Sequence, residues 1–415
     1  MSGDVNIGQA RIDWVRRYSP VLDGFVREQL SDGALTGVKV AVVVHLEAKT
    51  AFLATVLADA GADVVVAGSN PRTTNGDVVA ALRARGLDVV SDADGDYDTW
   101  ERELLAAAER EPEIVIDDGA ELTLRMAKFR PESFNRLRGV SEETTTGTAR
   151  LRTMHAGGQL PFGALSANNA RCKTLFDNRF GTGQTTIQAF LRLTNRQIGG
   201  SRFVVIGYGA VGRGIAQYAR ALGALTGVVE TDPVRALEAH MDGHQVGPAS
   251  TVLPGATVVI TATGGIRALG EPEFTYLTDD VVLGNAGHHD LEIDVEALER
   301  LASSEAPART GVTTYRLDDR DVHVLTHGAL VNIAGGSGHP VEIMDLTFAV
   351  QGLGAHYLAT HTLEPGVHIL PKELDDAIAA AKLRSLGVVL DDVKPHQHDD
   401  IREWTGAGSD TGTRA

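Results

Sequence analysis

The hydrophobic and polar positions of the chain change their spacing several times, and these changes predict alternating helices and strands. Apolar residues recur at helical spacing over residues 9–30, so we predict a helix there. The β-branched run VKVAVVVH at 38–45 predicts a strand, and TAFLATVLADAGA at 50–62 predicts a helix that ends at Gly61. Similar apolar runs predict six further strands, at 63–68, 113–118, 202–207, 225–230, 256–261 and 280–285.

These strands are almost continuously apolar, and helical patterns lie between most of them. Strands of this kind are buried on both faces, as in parallel sheets covered by helices. The length of 415 residues corresponds to two or three domains at about 150 residues each. We therefore predict an α/β protein with two doubly wound, Rossmann-like parallel-sheet domains that divide near 180–200. From about residue 371 the chain is helical and then polar, and its end, GAGSDTGTRA, is predicted to be disordered.

The composition is that of an ordinary globular protein. Hydrophobic residues make up 43% and charged residues 22%, which excludes wholesale disorder. The 46 glycines show no collagen-like period, so we expect many close backbone approaches, as in nucleotide-binding α/β proteins. A net charge of −17 argues against a general binder of nucleic acid or of anionic membranes.

Cysteine content and hydropathy indicate the cellular setting. Cys172 is the single cysteine, which excludes an internal disulfide and a multi-cysteine zinc or iron–sulfur site, and we predict no resident metal. The first 30 residues lack the apolar core of a signal peptide, and no apolar run approaches the ~18 residues of a membrane span. We therefore expect a soluble, cytoplasmic protein.

A glycine motif predicts a dinucleotide site. RFVVIGYGAVGRG places Gly207, Gly209 and Gly212 as G-x-G-x-x-G directly after a strand and at the start of a helix. These glycines allow a tight turn, close approach of a pyrophosphate, and close packing of helix on strand. Glu230 ends the next strand, where its carboxylate can bind ribose hydroxyls, which favours NAD, although Arg235 nearby leaves NADP open. The alternative is a Rossmann-like turn that has lost its ligand.

Polar side chains at other predicted strand ends indicate a second site. His45, Ser69 with Asn70, and Asp117 with Asp118 each follow a strand, and ligands of open parallel sheets bind beyond the carboxyl ends of the strands. Taken singly, the histidine has a structural explanation as a satisfied core group, and the aspartate pair as a helix N-cap. Their coincidence at three strand ends favours a site.

Three further segments carry candidate chemistry. SEETTTG at 141–147 offers carboxylates and hydroxyls for sugar or amide groups, or alternatively acidic residues at a helix N-terminus. Lys173 and Asp177 are spaced i,i+4, which fits either a shared site or a surface ion pair. His288 and His339 both follow glycines, which is a weak signal.

At these residues the chain resembles the S-adenosyl-L-homocysteine hydrolase family over nearly its whole length. The matching segments occur in chain order: HLEAKTAFL (45–53), SNPRTTNGDVVAAL (69–82), IDDGAELT (116–123), SEETTTG (141–147), FDNRFG (176–181), VIGYGAVGRG (205–214), ETDPVRALEAHMDG (230–243), NAGHHDLEID (285–294), VNIAGGSGHP (331–340) and LPKELDDAIA (370–379).

The resemblance implies an organisation and a reaction. It implies a substrate domain at 1–180 and 343–370, an inserted NAD domain at 181–342 and a C-terminal extension at 371–415, in a homotetramer or homodimer. It also implies a permanently bound NAD⁺ and a redox-neutral hydrolysis of the thioether to adenosine and homocysteine. The 3′-hydroxyl is oxidised, which acidifies the C4′ proton; homocysteine leaves from C5′, water adds, and the ketone is reduced again.

The motif positions imply roles for individual residues. The catalytic roles fall on Lys173 as base for the 3′-hydroxyl, Asp177 on the ribose hydroxyls, Asp118 as base at C4′, and His45 and His288 at the C5′ water and leaving group. The substrate contacts are Glu47, Lys49, Thr73, Glu143 on the 2′-hydroxyl, Met344, and His339 at the adenine end. The NAD contacts, besides Gly207, Gly209 and Gly212, are Thr144, Thr145, Thr146, Asn178, Val211, Glu230, Arg235, Thr263, Asn285 and Asn332. A depressed pKa is expected for Lys173, beside a cationic nicotinamide in a dry pocket.

The chain departs from the family pattern at several positions. Thr182 stands where the family usually has cysteine, TTNGD at 73–77 replaces STQDD, and Ala210 replaces aspartate inside the glycine motif. The end IREWTGAGSDTGTRA does not match the Lys/Tyr-bearing tail of longer members, so we expect a smaller set of NAD contacts.

Lys49 bears on the choice of base. Many members have Gln or Glu there, which accept a hydrogen bond from the 6-amino group of adenine, whereas lysine only donates. Lys49 therefore favours a 6-oxo purine such as hypoxanthine, unless its side chain points elsewhere and the backbone recognises adenine.

Four functions are compatible with these observations. They are the hydrolase acting on S-adenosylhomocysteine or a 6-oxo analogue, a diverged paralog acting on another nucleoside, an NAD-dependent dehydrogenase with net redox change, and a catalytically silent NAD-binding regulator. The retained site residues argue against the regulator, and the embedded-NAD chemistry argues against the dehydrogenase.

Overall fold

A computed structural model of the chain describes residues 3–93, 95–288 and 290–391. The strands are β1 Lys39–Val44, β2 Asp63–Gly68, β3 Asp88–Val89, β4 Ile114–Asp117, β5 Gly139–Glu142, β6 Gly163–Ser166, β7 Arg202–Ile206, β8 Leu225–Val229, β9 Gln245–Val246, β10 Val258–Thr261, β11 Val281–Asn285, β12 Ser304–Arg309, β13 Val312–Leu317, β14 Arg320–Leu325 and β15 Gly366–Ile369.

Helices connect most of these strands. The α-helices are α1 Val5–Arg17, α2 Arg27–Gln29, α3 Ala48–Asp59, α4 Gly76–Ala84, α5 Tyr97–Glu109, α6 Glu121–Phe129, α7 Thr145–Ala156, α8 Arg171–Lys173, α9 Thr182–Thr194, α10 Ala210–Ala221, α11 Pro233–Met241, α12 Ala249–Val252, α13 Glu271–Phe274, α14 Val295–Leu301, α15 Val331–Ala334, α16 Val341–Thr360 and α17 Lys372–Ser385. π-Helical segments span Val21–Val26 and Thr174–Gly181, and 3₁₀ turns span Leu30–Asp32, Pro71–Thr73, Pro131–Asn135, Ala167–Asn169 and Thr326–Gly328.

The strands form two sheets, which confirms the predicted α/β class with two doubly wound units. The first sheet has the order β15-β6-β5-β4-β1-β2-β3, and its neighbouring strands pair in parallel. Alternate residues of β1 enter different cores: Val40 and Val42 pack with one cluster, and Ala41 and Val43 with the other. Burial on both faces is what the continuous apolar runs predict.

The second sheet differs from the prediction at one edge. Its order is β12-β13-β14-β11-β10-β7-β8-β9, and β13 pairs antiparallel with both of its neighbours. The expectation of a purely parallel sheet is therefore wrong for this edge. A two-residue turn joins β13 to β14, and Asp318 in that turn has φ 51°, a value that tight hairpins require.

Local predictions hold where the pattern is long and apolar. Strand β2 has the predicted bounds, and β1 is one residue shorter than predicted at each end. The single helix predicted at 9–30 is wrong, because the chain breaks after α1 and resumes as a helical segment only beyond Pro20, which lacks an amide hydrogen.

The order of strands reverses beside β1 in the first sheet and beside β7 in the second. Such reversals leave a crevice at the carboxyl ends of the strands. After the second sheet, α16 carries the chain back, and β15 then adds to the edge of the first sheet beside β6. The domain boundaries named above stay a prediction.

Two further expectations concern membrane-spanning helices and the C-terminal end of the chain. None of the helices in the described ranges is both long and apolar enough to cross a membrane. The end predicted to be disordered lies beyond Asp391 and so outside the described residues.

Candidate active site

The carboxyl ends of both sheets border one cleft of about 1700 Å³. Small-molecule sites usually measure roughly 300–1,000 Å³, so this cleft has room for more than one ligand. Predicted site residues from both halves of the chain line it: His45, Glu47, Lys49, Thr73, Asp118, Glu143, Thr144, Thr145, Thr146, Lys173, Asp177, Asn178, Gly207, Gly209, Val211, Glu230, Arg235, Thr263, His288, Asn332, His339 and Met344.

Two predicted cofactor residues, Gly212 and Asn285, lie behind the wall of the cleft as the described residues form it. Asn285 is buried, accepts from the amide of Gly287 at 2.7 Å and donates to the carbonyl of Gly328 at 2.9 Å. Asn285 therefore supports the loop that carries His288, and its assignment as an NAD contact stays a prediction.

Asp118, at the end of β4, lies at the centre of the first group of catalytic candidates. The Ser69 hydroxyl donates to its Oδ2 at 2.8 Å, and His45 Nε2 lies 3.5 Å from the same oxygen. His288 Nδ1, from the second sheet, lies 3.8 Å from Oδ1, a buried atom without a hydrogen-bond partner among the described residues. Burial opposes ionisation, but the two histidines and the serine outweigh it and hold the pKa of Asp118 below its usual value.

The two neighbouring aspartates have different roles, and that of Asp117 is structural. Its carboxylate accepts from the amide and hydroxyl of Thr123 at 2.8 and 2.7 Å. Asp117 thus holds the first turn of α6, but the N-cap interpretation is wrong, because the N-cap residue is Ala120. Burial raises the pKa of Asp117 to about 6. Asp117 thus orients the chain from which Asp118 projects into the cleft.

Lys173 and Asp177 form the second group. Their Nζ and Oδ1 atoms lie 3.3 Å apart, both side chains are buried, and Lys173 Nζ also donates to Asn178 Oδ1 at 2.8 Å. The predicted i,i+4 pair therefore exists inside the protein, with Lys173 directly before a π-helical segment and Asp177 within it, and the surface ion pair is excluded. Such segments often occur at functional sites.

The charges around Lys173 oppose the expected pKa shift. Burial disfavours the ammonium form, but the Asp177 carboxylate outweighs it, so the pKa of Lys173 is raised above its usual value. The expectation of a depressed pKa concerns Lys173 beside a bound nicotinamide, and it stays a prediction. Burial raises the pKa of the neighbouring Glu143 to about 8.

Helix α16 contributes residues that the sequence analysis missed. Thr347 donates to Asp177 Oδ2 at 2.9 Å, and Gln351 donates to Glu143 Oε2 at 2.6 Å. Both side chains are buried. A Thr and a Gln four residues apart inside an apolar helix are the only signal that could have identified them.

The sequence analysis also missed the structural role of Glu142, although it assigned the neighbouring Glu143 to the substrate site. The Glu142 carboxylate accepts from the amides of Gly119 and Ala120, both at 2.9 Å, and from the amide of Thr144 at 2.8 Å. Burial raises its pKa well above the usual value. Glu142 therefore binds together the loop after β4 and the start of α7.

The loop between β7 and α10 has the shape that a dinucleotide needs. Gly207 has φ 97°, and a Cβ on Gly212 would lie 1.9 Å from the carbonyl oxygen of Gly207. A Cβ on Gly209 would meet no described atom closer than Arg235 Nη1 at 3.9 Å, so space for a ligand begins there. Asn332 Oδ1 on the cleft wall is buried without a hydrogen-bond partner among the described residues, as expected where a ligand amide donates. These residues fit NAD.

Glu230 occupies the position predicted for ribose recognition. Its Oε2 accepts from the amide of Tyr208 at 2.7 Å, and its Oε1 accepts from the amide of Asp232 at 2.9 Å. Partial burial opposes ionisation, but these amides outweigh it and hold the pKa of Glu230 below its usual value. A fixed carboxylate at this place favours ribose hydroxyls over a 2′-phosphate.

We expect alanine at two of these glycines to have opposite effects. Gly209→Ala should leave the melting temperature nearly unchanged but weaken NAD binding at least about tenfold, since its methyl group enters ligand space. Gly212→Ala should lower the melting temperature by several degrees, since helix and strand must separate. Calorimetry of NAD binding and thermal unfolding measure the two effects. Equal loss of stability in both variants would contradict this division of roles.

The far end of the cleft holds Lys49 and Glu47. Lys49 Nζ is buried, donates to Glu47 Oε2 at 2.9 Å and to the carbonyl of Ser337 at 3.0 Å. Lys49 also lines the cleft, and the groups that recognise the base stay a prediction. A hydrogen-bond donor and an acceptor stand side by side at this end.

His339 and Thr182 lie between this end and the second group. His339 Nδ1 lies 3.2 Å from Asp177 Oδ1, and its Nε2 lies 3.0 Å from the Thr182 hydroxyl. Threonine in place of the usual cysteine thus provides a hydrogen-bonding partner that helps to orient the histidine toward Asp177.

Comparison with known proteins extends these observations over the whole chain. A family model described as S-adenosyl-L-homocysteine hydrolase matches residues 3–132, and one described as the NAD binding domain of that hydrolase matches 178–338. An adenosylhomocysteinase of Thermotoga maritima is 43% identical over 403 residues, which cover 96% of this chain and 100% of that protein.

Two further relatives differ in the substrate that their names carry. An adenosylhomocysteinase of Thermococcus kodakarensis is 42% identical over 400 residues, covering 96% of this chain and 95% of that protein. An S-inosyl-L-homocysteine hydrolase of Methanopyrus kandleri is 40% identical over 402 residues, with the same two coverages of 96% and 95%. The similarity spans both sheets and the cleft between them.

Proposed function

The chain belongs to the S-adenosyl-L-homocysteine hydrolase family, and from this premise we propose that it hydrolyses a purine nucleoside thioether of homocysteine with NAD as cofactor. The observation that carries the proposal is the meeting of two groups in one cleft, Lys173 with Asp177 and Asp118 with two histidines. Lys173 with Asp177 suits a sugar hydroxyl that loses a proton, and Asp118 with the histidines suits proton transfers at the adjacent carbons.

Gly207, Gly209, Glu230 and Asn332 would hold the cofactor, with the threonines of 144–146. When bound there, NAD would supply reversible hydride-transfer chemistry at C3′. Nothing in this chain needs to supply redox chemistry of its own.

At the sugar, Lys173 accepts the proton of the 3′-hydroxyl, while Asp177 and Glu143 hold the hydroxyls. Lys173 must first lose its own proton, and Asp177 opposes that loss. A cation bound in the cleft acts in the opposite direction, since like charges disfavour the ammonium form.

At C4′ and C5′, Asp118 and the two histidines complete the reaction. Asp118 is ionised at neutral pH, because its pKa lies below the usual value, so its carboxylate can remove the acidified C4′ proton. His45 and His288 flank it and are placed to protonate the departing thiolate and to take a proton from the incoming water. The Thr73 hydroxyl, 2.8 Å from His45 Nδ1, orients one of these rings.

We propose that both adenine and hypoxanthine are accepted and that Lys49 favours the 6-oxo group. Lys49 donates, as a 6-oxo group requires, and Glu47 accepts, as a 6-amino group requires. The names of the relatives include both substrates, which supports the proposal for this chain.

The synthetic direction tests the function and the base preference together. We expect thioether from homocysteine with either nucleoside, and more from inosine. Lys49→Gln should shift the ratio of kcat/KM for inosine over adenosine toward adenosine by about tenfold or more, the effect of one hydrogen bond to a charged group. Glu47→Gln, the matched variant, should shift the ratio toward inosine.

Thioether from neither nucleoside would contradict the proposed function. Free NADH that accumulates with turnover would instead favour a dehydrogenase. A ratio that is unchanged in Lys49→Gln would contradict the role of Lys49 alone.

We also propose that the protein acts in the cytoplasm as a homotetramer or homodimer. Family membership supports the assembly, and the exposed apolar side chains of Val234, Leu237 and Met241 on one side of α11 are compatible with it. Light scattering of the purified protein measures the mass of the assembly, and a monomer would contradict this.

A further inference from the structure

A second cavity lies next to the catalytic candidates, and the proposed chemistry does not use it. Its volume is about 210 Å³, several times the roughly 30 Å³ that one water molecule takes in the liquid. His45 and His288 line both this cavity and the cleft. The cavity therefore begins where the substituent on C5′ would leave the nucleoside.

Two acidic and two basic side chains line this cavity: Arg72, Glu121, Arg150 and Asp290. Glu121 is mostly buried and receives Arg150 Nη1 at 2.8 Å on one oxygen and Arg125 Nη1 at 2.7 Å on the other. Arg150 also donates to the carbonyl of Gly119, at 2.7 Å, directly after Asp118. The charged side chains of Glu121 and Arg150 are thus held in place by several short contacts.

The outer part of the cavity is held less tightly. Arg72 Nη1 and Asp290 Oδ2 lie 3.7 Å apart, and the two side chains are 51% and 40% exposed. A pair at this distance and exposure contributes little stability. Arg72 comes from the first half of the chain and also lines the cleft, and Asp290 comes from the second half, so their partly exposed charges form the mouth of the cavity.

We propose that this cavity binds the amino-acid end of homocysteine, with its carboxylate on Arg72 and its ammonium group on Asp290. Homocysteine carries one group of each sign on a single carbon, and two methylene groups separate that carbon from the sulfur. The sulfur then lies at His45 and His288, and the charged end lies at the cavity mouth. Arg150 and Glu121 form a second pair of opposite charges, closer to the loop that carries Asp118. This assignment rests on the proposed function.

The synthetic direction separates the two substrates, so it tests the subsite directly. Arg72→Gln and Asp290→Asn should each raise the KM for homocysteine about tenfold or more, as loss of a charge-assisted contact predicts. The KM for the nucleoside and the absorbance of reduced nicotinamide that the nucleoside alone produces should change by less than about twofold. Arg196→Gln, which also removes an arginine from an exposed ion pair, 3.4 Å from Asp280, is the control and should behave like the unmodified protein.

Thiols that lack one or both charges add a second test. With 2-mercaptoethanol, which has neither charge, Arg72→Gln and Asp290→Asn should perform as well as the unmodified protein. With 3-mercaptopropionate, which has only the carboxylate, thioether formation should fall more in Arg72→Gln than in Asp290→Asn. With cysteamine, which has only the ammonium group, it should fall more in Asp290→Asn.

Three outcomes would overturn the assignment. An unchanged KM for homocysteine in both variants would mean that the cavity conducts water only. If thioether formation fell equally with charged and uncharged thiols, the two residues would support the structure of the site and not bind the charges of homocysteine. Absence of reduced nicotinamide and of thioether with every thiol would overturn the proposed function itself.

Discussion

Replacement of Lys173 by methionine is expected to lower kcat by about a thousandfold or more. Proton transfer by one positioned side chain contributes roughly 10²–10⁴ in rate, and here the lost group acts on the step that starts the cycle. Nucleoside added to the variant should produce neither thioether nor the absorbance of reduced nicotinamide. Rapid-mixing spectroscopy and product analysis measure both.

The stability of this variant must be measured beside its activity. Removal of Lys173 leaves Asp177 buried, although His339 still lies 3.2 Å away and Thr347 still donates to it. An uncompensated buried charge costs about 3–5 kcal/mol, so a lower melting temperature is expected. Lys128→Met, at a lysine over the ring of Phe129, is the matched control. Normal nicotinamide reduction by a folded Lys173→Met would refute the assigned role.

Replacement of Asp118 by asparagine is expected to stop the reaction one step later. The cleft should still bind nucleoside and Lys173 should still act, so the absorbance of reduced nicotinamide should appear and persist. Removal of the C4′ proton should slow by about 10²–10⁴, which exchange of that position with deuterated solvent measures. Thioether formation should fall by the same factor.

Asp117→Asn provides the contrast, since it neutralises the preceding residue in the chain. Asp117 accepts from amides in the first turn of α6 and from the amide of Asp118, so its loss should lower the melting temperature, while the rate of exchange should fall by less than in Asp118→Asn. If Asp118→Asn exchanged the C4′ proton at the normal rate, the base would have to be another group.

The sequence predicted those parts of the site that lie within one segment or at the end of an apolar strand. His45, Asp118 and Gly207 follow runs that are too apolar and too short to be anything but buried strands, and parallel pairing places such ends together. The SEETTTG motif was enough to assign Glu143 to the cleft. The structural role of Glu142 depends on hydrogen bonds from the amides of Gly119 and Ala120, which sequence spacing does not reveal.

Contacts between distant segments were beyond the sequence analysis. Gln351 meets Glu143 across 208 positions of the chain, and Lys49 meets the carbonyl of Ser337 across 288. A pattern of apolar spacing shows that α16 is buried but not which neighbour each polar residue contacts. The antiparallel strands β12 to β14 were missed because they lack the continuous apolar runs found elsewhere: β13 and β14 mix polar with apolar residues, and every residue of β12 is exposed.

The return of the chain through α16 and β15 has a consequence for biosynthesis. Thr347 and Gln351 complete the surroundings of Asp177 and Glu143, and β15 closes the first sheet beside β6, all after the second sheet has been translated. A nascent chain that ends before residue 341 can therefore assemble the glycine loop with its own sheet, while the earlier half keeps an open strand edge. Open edges of this kind are where partly made chains aggregate. Ribosome pausing in the last quarter of the message would then be more harmful to this protein than pausing earlier.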